Sequence, residues 1–171
     1  MFNKKIIIFG LFLLFIAVPF NLVNATHYEG YSITVDGFDF NMINGYEQYS
    51  EITDEDSTDI DGSTIHLYIE QYYNSNDSCI SIGTNTRYSA PYTKKDLEYI
   101  GSNEQDMTTT NKNIGGKSGK LVEDRSMNNS QYSYILGNST EYTFWYVEDG
   151  KEISIQADSV DKIQFCLSKT N

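Results

Sequence analysis

Few stretches of this chain bring together side chains that do chemistry, and spacing decides each case. NIGGKSGKL at 113–121 holds the Gly-Lys-Ser that closes a phosphate-binding loop. That loop is G-x-x-x-x-G-K-[ST], with a strand before it and a helix after it, so that backbone N–H groups and a helix N-terminus face phosphate. Five positions before Gly116 stands Asn111, and the following GKLVEDR reads as a strand. The glycines therefore mark a tight turn between strands, where positive φ is needed, and no nucleotide or other cofactor is expected.

The acid-rich SEITDEDSTDIDGS raises calcium. With Asp61-Gly62 at the fifth and sixth positions of an EF-hand loop, Ser57 falls at the first and Tyr68 at the twelfth, where carboxylates are required. The match fails at both ends, and a solvated loop is expected. A looser, weak calcium site among Asp54, Glu55, Asp56, Asp59 and Asp61 stays as an alternative. Neither H-E-x-x-H nor C-x-x-C occurs, so no metal site is assigned. Of the two histidines, His27 lies near the expected mature N-terminus and His66 in a strand, and no G-x-S-x-G elbow presents a serine. A secreted glycan or peptide hydrolase without a familiar motif is the enzymatic alternative; the reading leans away from catalysis.

What remains is tyrosine, 14 in all. In TIHLYIEQYY, Ile65, Leu67 and Ile69 share one strand face, and His66, Tyr68, Glu70 and Tyr72 share the other. The second row, with Tyr73 beside it, has the polar and aromatic mixture of wet interfaces. His66, Tyr68 and Tyr72 are the candidate ligand-binding residues, on an outer face that meets an envelope polymer or another protein.

The elements that must position this row are mostly strands. YSITVDGFDFNM alternates Tyr31, Ile33 and Val35, turns at Asp36-Gly37, then alternates Phe38, Phe40 and Met42. NSND and SCISIGT complete a hairpin with TIHLYIEQYY. PYTKKDLEYIG predicts a short helix, with Thr93 as cap, Asp96 as its capping-box partner, Tyr92 and Leu97 as staple and Gly101 as stop. DMTTTNKNI, GKLVEDR, QYSYIL, EYTFWYV and KEISIQA predict strands, the last two joined by the hairpin pair Asp149-Gly150. EYTFWYV, apolar on both faces, reads as a central strand. Val160, Ile163 and Leu167 predict an amphipathic C-terminal helix, although Ile163, Phe165 and Leu167 also alternate as a strand would. The fold class is α+β: a mostly antiparallel sheet flanked by a short middle helix and a C-terminal helix, after an N-terminal signal helix.

Location follows from the first 25 residues. Lys4 and Lys5, an apolar run from Ile6, and Val23-Asn24-Ala25 form a secretory signal peptide at 1–25, leaving 26–171 as one domain. An uncleaved membrane anchor is the alternative; after cleavage no stable membrane insertion is expected. With 24 acids against 12 bases, the net charge of −12 repels phosphate backbones and excludes nucleic acid as a partner. The protein is expected to be secreted or held at the cell surface. Asn76, Asn128 and Asn138 are glycosylation candidates by their N-x-[ST] sequons. Cys79 and Cys166 are expected to form a disulfide in an oxidising compartment.

The order of GFDFNMINGY, Tyr-rich strands, IGGKSGKL and DGKEISIQADSVDKI resembles small exported proteins of methanogenic archaea. Their pattern is G-F-x-F-x-I-P-x-G-Y, then I-x-G-x-x-G, then D-G-K-x-[VI]-x-I-x-A before a last helix. The layout is also similar to PsbP-like domains, an antiparallel sheet between helices. Ile43-Asn44 here stands at or beside the Ile-Pro of the pattern. The resemblance implies a fold and a compartment, and no reaction.

Overall fold

A computed structural model describes residues 27–59, 62–100, 106–125 and 140–168. The expected signal segment 1–25, the QYSYIL strand, and Asn128 and Asn138 lie outside the described residues. Among the described residues no helix is long and apolar enough to cross a membrane.

The first apolar alternation folds as a two-stranded hairpin, β1 (Gly30–Val35) and β2 (Phe38–Ile43). Val35 faces Phe38 across Asp36-Gly37, whose φ angles of 46° and 85° match a two-residue turn that follows strand twist. The rest forms one antiparallel sheet. Its strands are β3 (Glu47–Gln48), β4 (Thr53–Thr58), β5 (Thr64–Tyr73), β6 (Cys79–Arg87), β7 (Met107–Ile114), β8 (Lys117–Asp124), β9 (Glu141–Glu148) and β10 (Lys151–Ala157). The order is β3-β5-β6-β10-β9-β8-β7, with β4 also beside β5. NIGGKSGKL is the β7–β8 hairpin, with Ile114 opposite Lys117 across the two glycines. Asp149-Gly150 likewise joins β9 to β10, with positive φ at both residues.

One sheet face carries the core. Tyr72, Ile80, Ile82, Ile153, Ile155, Phe144, Tyr146 and Leu121 alternate inward from adjacent strands. Val35, Phe40 and Met42 of the hairpin cover them, together with Ile163 and Cys166 of α1 (Val160–Cys166). The C-terminal helix is thus present, with Ile163 fully buried. Asp36 fastens the hairpin tip to the sheet, accepting from the Thr84 hydroxyl at 2.5 Å and the Lys151 ammonium at 2.7 Å. At the other end, the Asn41 amide donates to the Ser168 carbonyl at 2.6 Å.

Two elements differ from expectation. The acidic stretch is a strand: β4 has no apolar side chain and is held by its backbone ladder to β5, with His66 between Asp54 (3.3 Å) and Asp56 (3.5 Å). A period-two apolar signal is absent because an edge strand with both faces wet has no core to face. The predicted middle helix is a single 3-10 turn, Asp96–Tyr99, with Leu97 its one buried residue. Asp96 does accept from the Thr93 backbone N–H and hydroxyl, both at 2.7 Å, but one apolar contact cannot carry a longer helix. Gly101, its expected stop, lies outside the described residues.

Candidate functional site

The predicted row His66, Tyr68, Glu70, Tyr72 lies on the core face of β5, not on an outer one. Tyr72 is 4% and Glu70 6% exposed, and Tyr68 is half-buried against the core. The Tyr68 hydroxyl donates to one Glu70 oxygen at 2.7 Å and the Tyr72 hydroxyl to the other at 2.5 Å. The carboxylate is satisfied by two phenols, which is how a polar row enters a core. The Glu70 bond pushes the Tyr68 phenol up to about 12, and burial and then Glu70 raise that of Tyr72 further. The Tyr72 ring is closed to a polymer, the half-buried Tyr68 has its hydroxyl engaged by Glu70, and His66 lies between Asp54 and Asp56.

Strand alternation puts Tyr73 on the opposite face, where it is 37% exposed and packs edge-on against Tyr49, itself 46% exposed, with centroids 5.7 Å apart. Tyr73 borders a groove of about 300 Å³ where the β5–β6 turn meets the end of β10. Its floor is a polar row across three strands: Gln71 opposite Ser81, and Ser81 opposite Gln156, whose amide donates to Glu141 at 2.7 Å. Asp77, Ser78, Cys79 and Asp158 complete the wall, so the lining is hydroxyl, amide and carboxylate with one thiol.

Behind that wall sits a group invisible in the sequence. The Lys162 ammonium donates to the Tyr46 hydroxyl at 2.7 Å, to Ser78 Oγ at 3.0 Å and to Asp158 at 2.8 Å. Ser78 Oγ donates to the same Asp158 oxygen at 2.8 Å and lies 2.8 Å from the Tyr46 hydroxyl. A serine beside a lysine suggests a nucleophile and its base, which requires a neutral amine. Burial alone would lower the Lys162 pKa, yet Asp158 and Tyr46 reverse this and raise it, so the side chain stays an ammonium. Asp158, for its part, is held below the usual carboxylate range by Lys162 and Ser78 in spite of its own burial. The ammonium uses all three donors and the serine proton is committed to a carboxylate, so the cluster is a clasp that fixes the groove wall to α1. Only the Asp158–Lys162 spacing of four on a helix start hinted at it.

Cys79 and Cys166, the expected disulfide partners, are both free thiols in this structure. Cys79 shares the groove face with Tyr73, whereas Cys166 packs into the core on the other side of the sheet. Burial raises the Cys79 pKa despite hydrogen bonds from the Tyr73 hydroxyl and the Tyr72 backbone, so this thiol is a poor nucleophile. Among the described residues no three His, Cys, Asp or Glu side chains are grouped to hold a metal ion. Asp59, offered above as a calcium ligand, instead accepts from Arg87 at 2.7 Å and from the Tyr92 hydroxyl at 2.6 Å, and Arg87 reaches Asp96 at 3.0 Å. Asn76 is exposed in the turn beside the groove. No family model, no curated protein and no solved structure matches the chain.

Proposed function

We propose that this chain is an exported, non-catalytic binding module of the cell envelope or exterior, and that it holds a neutral, hydroxyl-rich polymer segment in the Tyr73 groove. The signal-like pattern at 1–25 and the acidic surface support the address. The observation that carries the binding role is the exposed Tyr49–Tyr73 pair at the rim of a groove floored by Gln71, Ser81 and Gln156. Aromatic rings give apolar contact to a ring face while amides and hydroxyls hydrogen-bond its edge. Asp77, Glu141 and Asp158 along the wall disfavour an anionic ligand.

Titration of the folded protein with neutral oligosaccharides, followed by amide shifts of Ser81 and Gln156, tests the reading. Tyr73→Ala is expected to weaken binding about tenfold, the loss of roughly 1.4 kcal/mol of ring contact. Unchanged affinity in Tyr73→Ala and Tyr49→Ala would sink the proposal. Hydrolysis of any glycan or peptide that disappears in Ser78→Ala would replace it with an enzyme.

A further inference from the structure

A second groove, of about 360 Å³, lies between the 3-10 segment and the β7–β8 hairpin, with the buried Leu97 among its walls. Its charge is opposite to that of the molecule. Lys94, Lys112 and Lys120 line it, with Asn111, Asn113 and Ser118, and among the described residues no carboxylate does. Arg87, Lys117, Arg125, Lys151 and Lys162 each have a carboxylate at 2.5 to 2.8 Å. Among the described residues Lys94, Lys95, Lys112 and Lys120 have none, and three of these four line the groove, in a chain with 24 acids to 12 bases. Leaving three ammoniums unneutralised along one groove costs mutual repulsion, which an anion there would relieve.

Register sorts the donors. Asn111 stands opposite Lys120 and Asn113 opposite Ser118, so these four project from one sheet face, the face on which Leu97 and Lys94 lie. Lys112 alternates to the other face at the outermost described strand and adds charge at the rim. The Asn113 amide donates to Ser118 Oγ at 3.3 Å, a long bond in which an oxyanion oxygen can replace the serine as acceptor.

The geometry points to an oxyanion site: the groove takes the phosphate or sulfate ester of a sugar-sized ligand, with the ester oxygens on Lys94 and Lys120 and the ring against Leu97. This site is separate from the Tyr73 groove and does not depend on it. The ammoniums supply charge-assisted donors, the amides supply direction, and the volume admits one ring with its charged group.

The test is amide-resolved titration with glucose 6-phosphate and glucose 6-sulfate, alongside inorganic phosphate, inorganic sulfate and glucose. Expected are saturable shifts at Ser118, Gly119 and Lys120 with the two esters, weaker ones with the inorganic anions, and none with glucose; the stronger ester identifies the group. Lys120→Gln and Lys94→Gln should each weaken ester binding about tenfold, and Lys95→Gln, outside the lining, should leave it unchanged. The same spectra report that each variant is folded. Absence of ester-induced shifts at these amides, equal shifts with glucose, or shifts that survive in the Lys94→Gln, Lys120→Gln double variant would overturn the site.

Discussion

A carboxylate buried between two phenols, as Glu70 is between Tyr68 and Tyr72, depends on both for the solvation that water gave it. Tyr72→Phe removes one charged hydrogen bond from a buried group, and urea unfolding should show a loss of about 1.5–3 kcal/mol. The same bonds set an alkaline limit. Unfolded tyrosine titrates near 10, and folding raises Tyr68 to about 12 and Tyr72 beyond. The folded state keeps these protons longer, so their stabilisation is complete below pH 10 and is lost as pH climbs toward 12. Stability measured between pH 9 and 12 should fall steeply, and less so in Tyr68→Phe. Thiol reactivity separates the two cysteines: burial lifts Cys166 to about 12 and leaves it 1% exposed, whereas Cys79 is half-buried at a groove. Alkylation at neutral pH should label Cys79 slowly and Cys166 only after unfolding, as mass spectrometry of the peptides would record.

At the scale of elements, what the sequence made legible was local. Asp36-Gly37, Gly115-Gly116 and Asp149-Gly150 each require positive φ at both turn positions, and each became the hairpin its letters announce. Val160 and Ile163 became a helix, with Leu167 as its C-cap, because Ile163 has the core to bury against. The reading failed where a residue's surroundings, not its type, set its face. Glu70 and its tyrosines look like an outer row until their mutual bonds are known, and β4 lacks an apolar period because it is a wet edge. Lys162, Ser78 and Tyr46 come from three distant segments, so the one local hint, Asp158 four positions before Lys162, could not reveal the whole clasp. The hairpin turns also offer a graded test. A Cβ at Gly115 would lie 2.3 Å from the Leu167 Cβ and 2.6 Å from its carbonyl oxygen, whereas nothing lies within 4 Å of one at Gly116. Both positions have positive φ, so Gly116→Ala should cost about 1 kcal/mol and Gly115→Ala at least twice that, since β8 and α1 must also part.

For the whole molecule, Arg87 holds the 3-10 segment to the sheet by pairing with Asp59 and Asp96 and stacking 4.1 Å from the Tyr92 ring centroid. Replacing it with Gln leaves two carboxylates without their cation. Breaking a fully buried pair costs roughly 3–5 kcal/mol; with part of this cluster still wet, about 2–3 kcal/mol is expected. Proteolysis of native Arg87→Gln should then begin within 88–100 while the β9–β10 hairpin stays protected.

The contacts between the first hairpin and the last helix have a kinetic meaning as well. The Asn41–Ser168 bond spans 127 positions, and Phe165 packs edge-on to Tyr28 and lies against Gly30. Neither β1–β2 nor α1 has the core to itself; each buries apolar surface that the other covers. They should therefore open as one cooperative unit: the amides of Phe40, Met42 and Leu167 should exchange with deuterium at a shared rate and with a shared denaturant dependence, below the protection of the central strands.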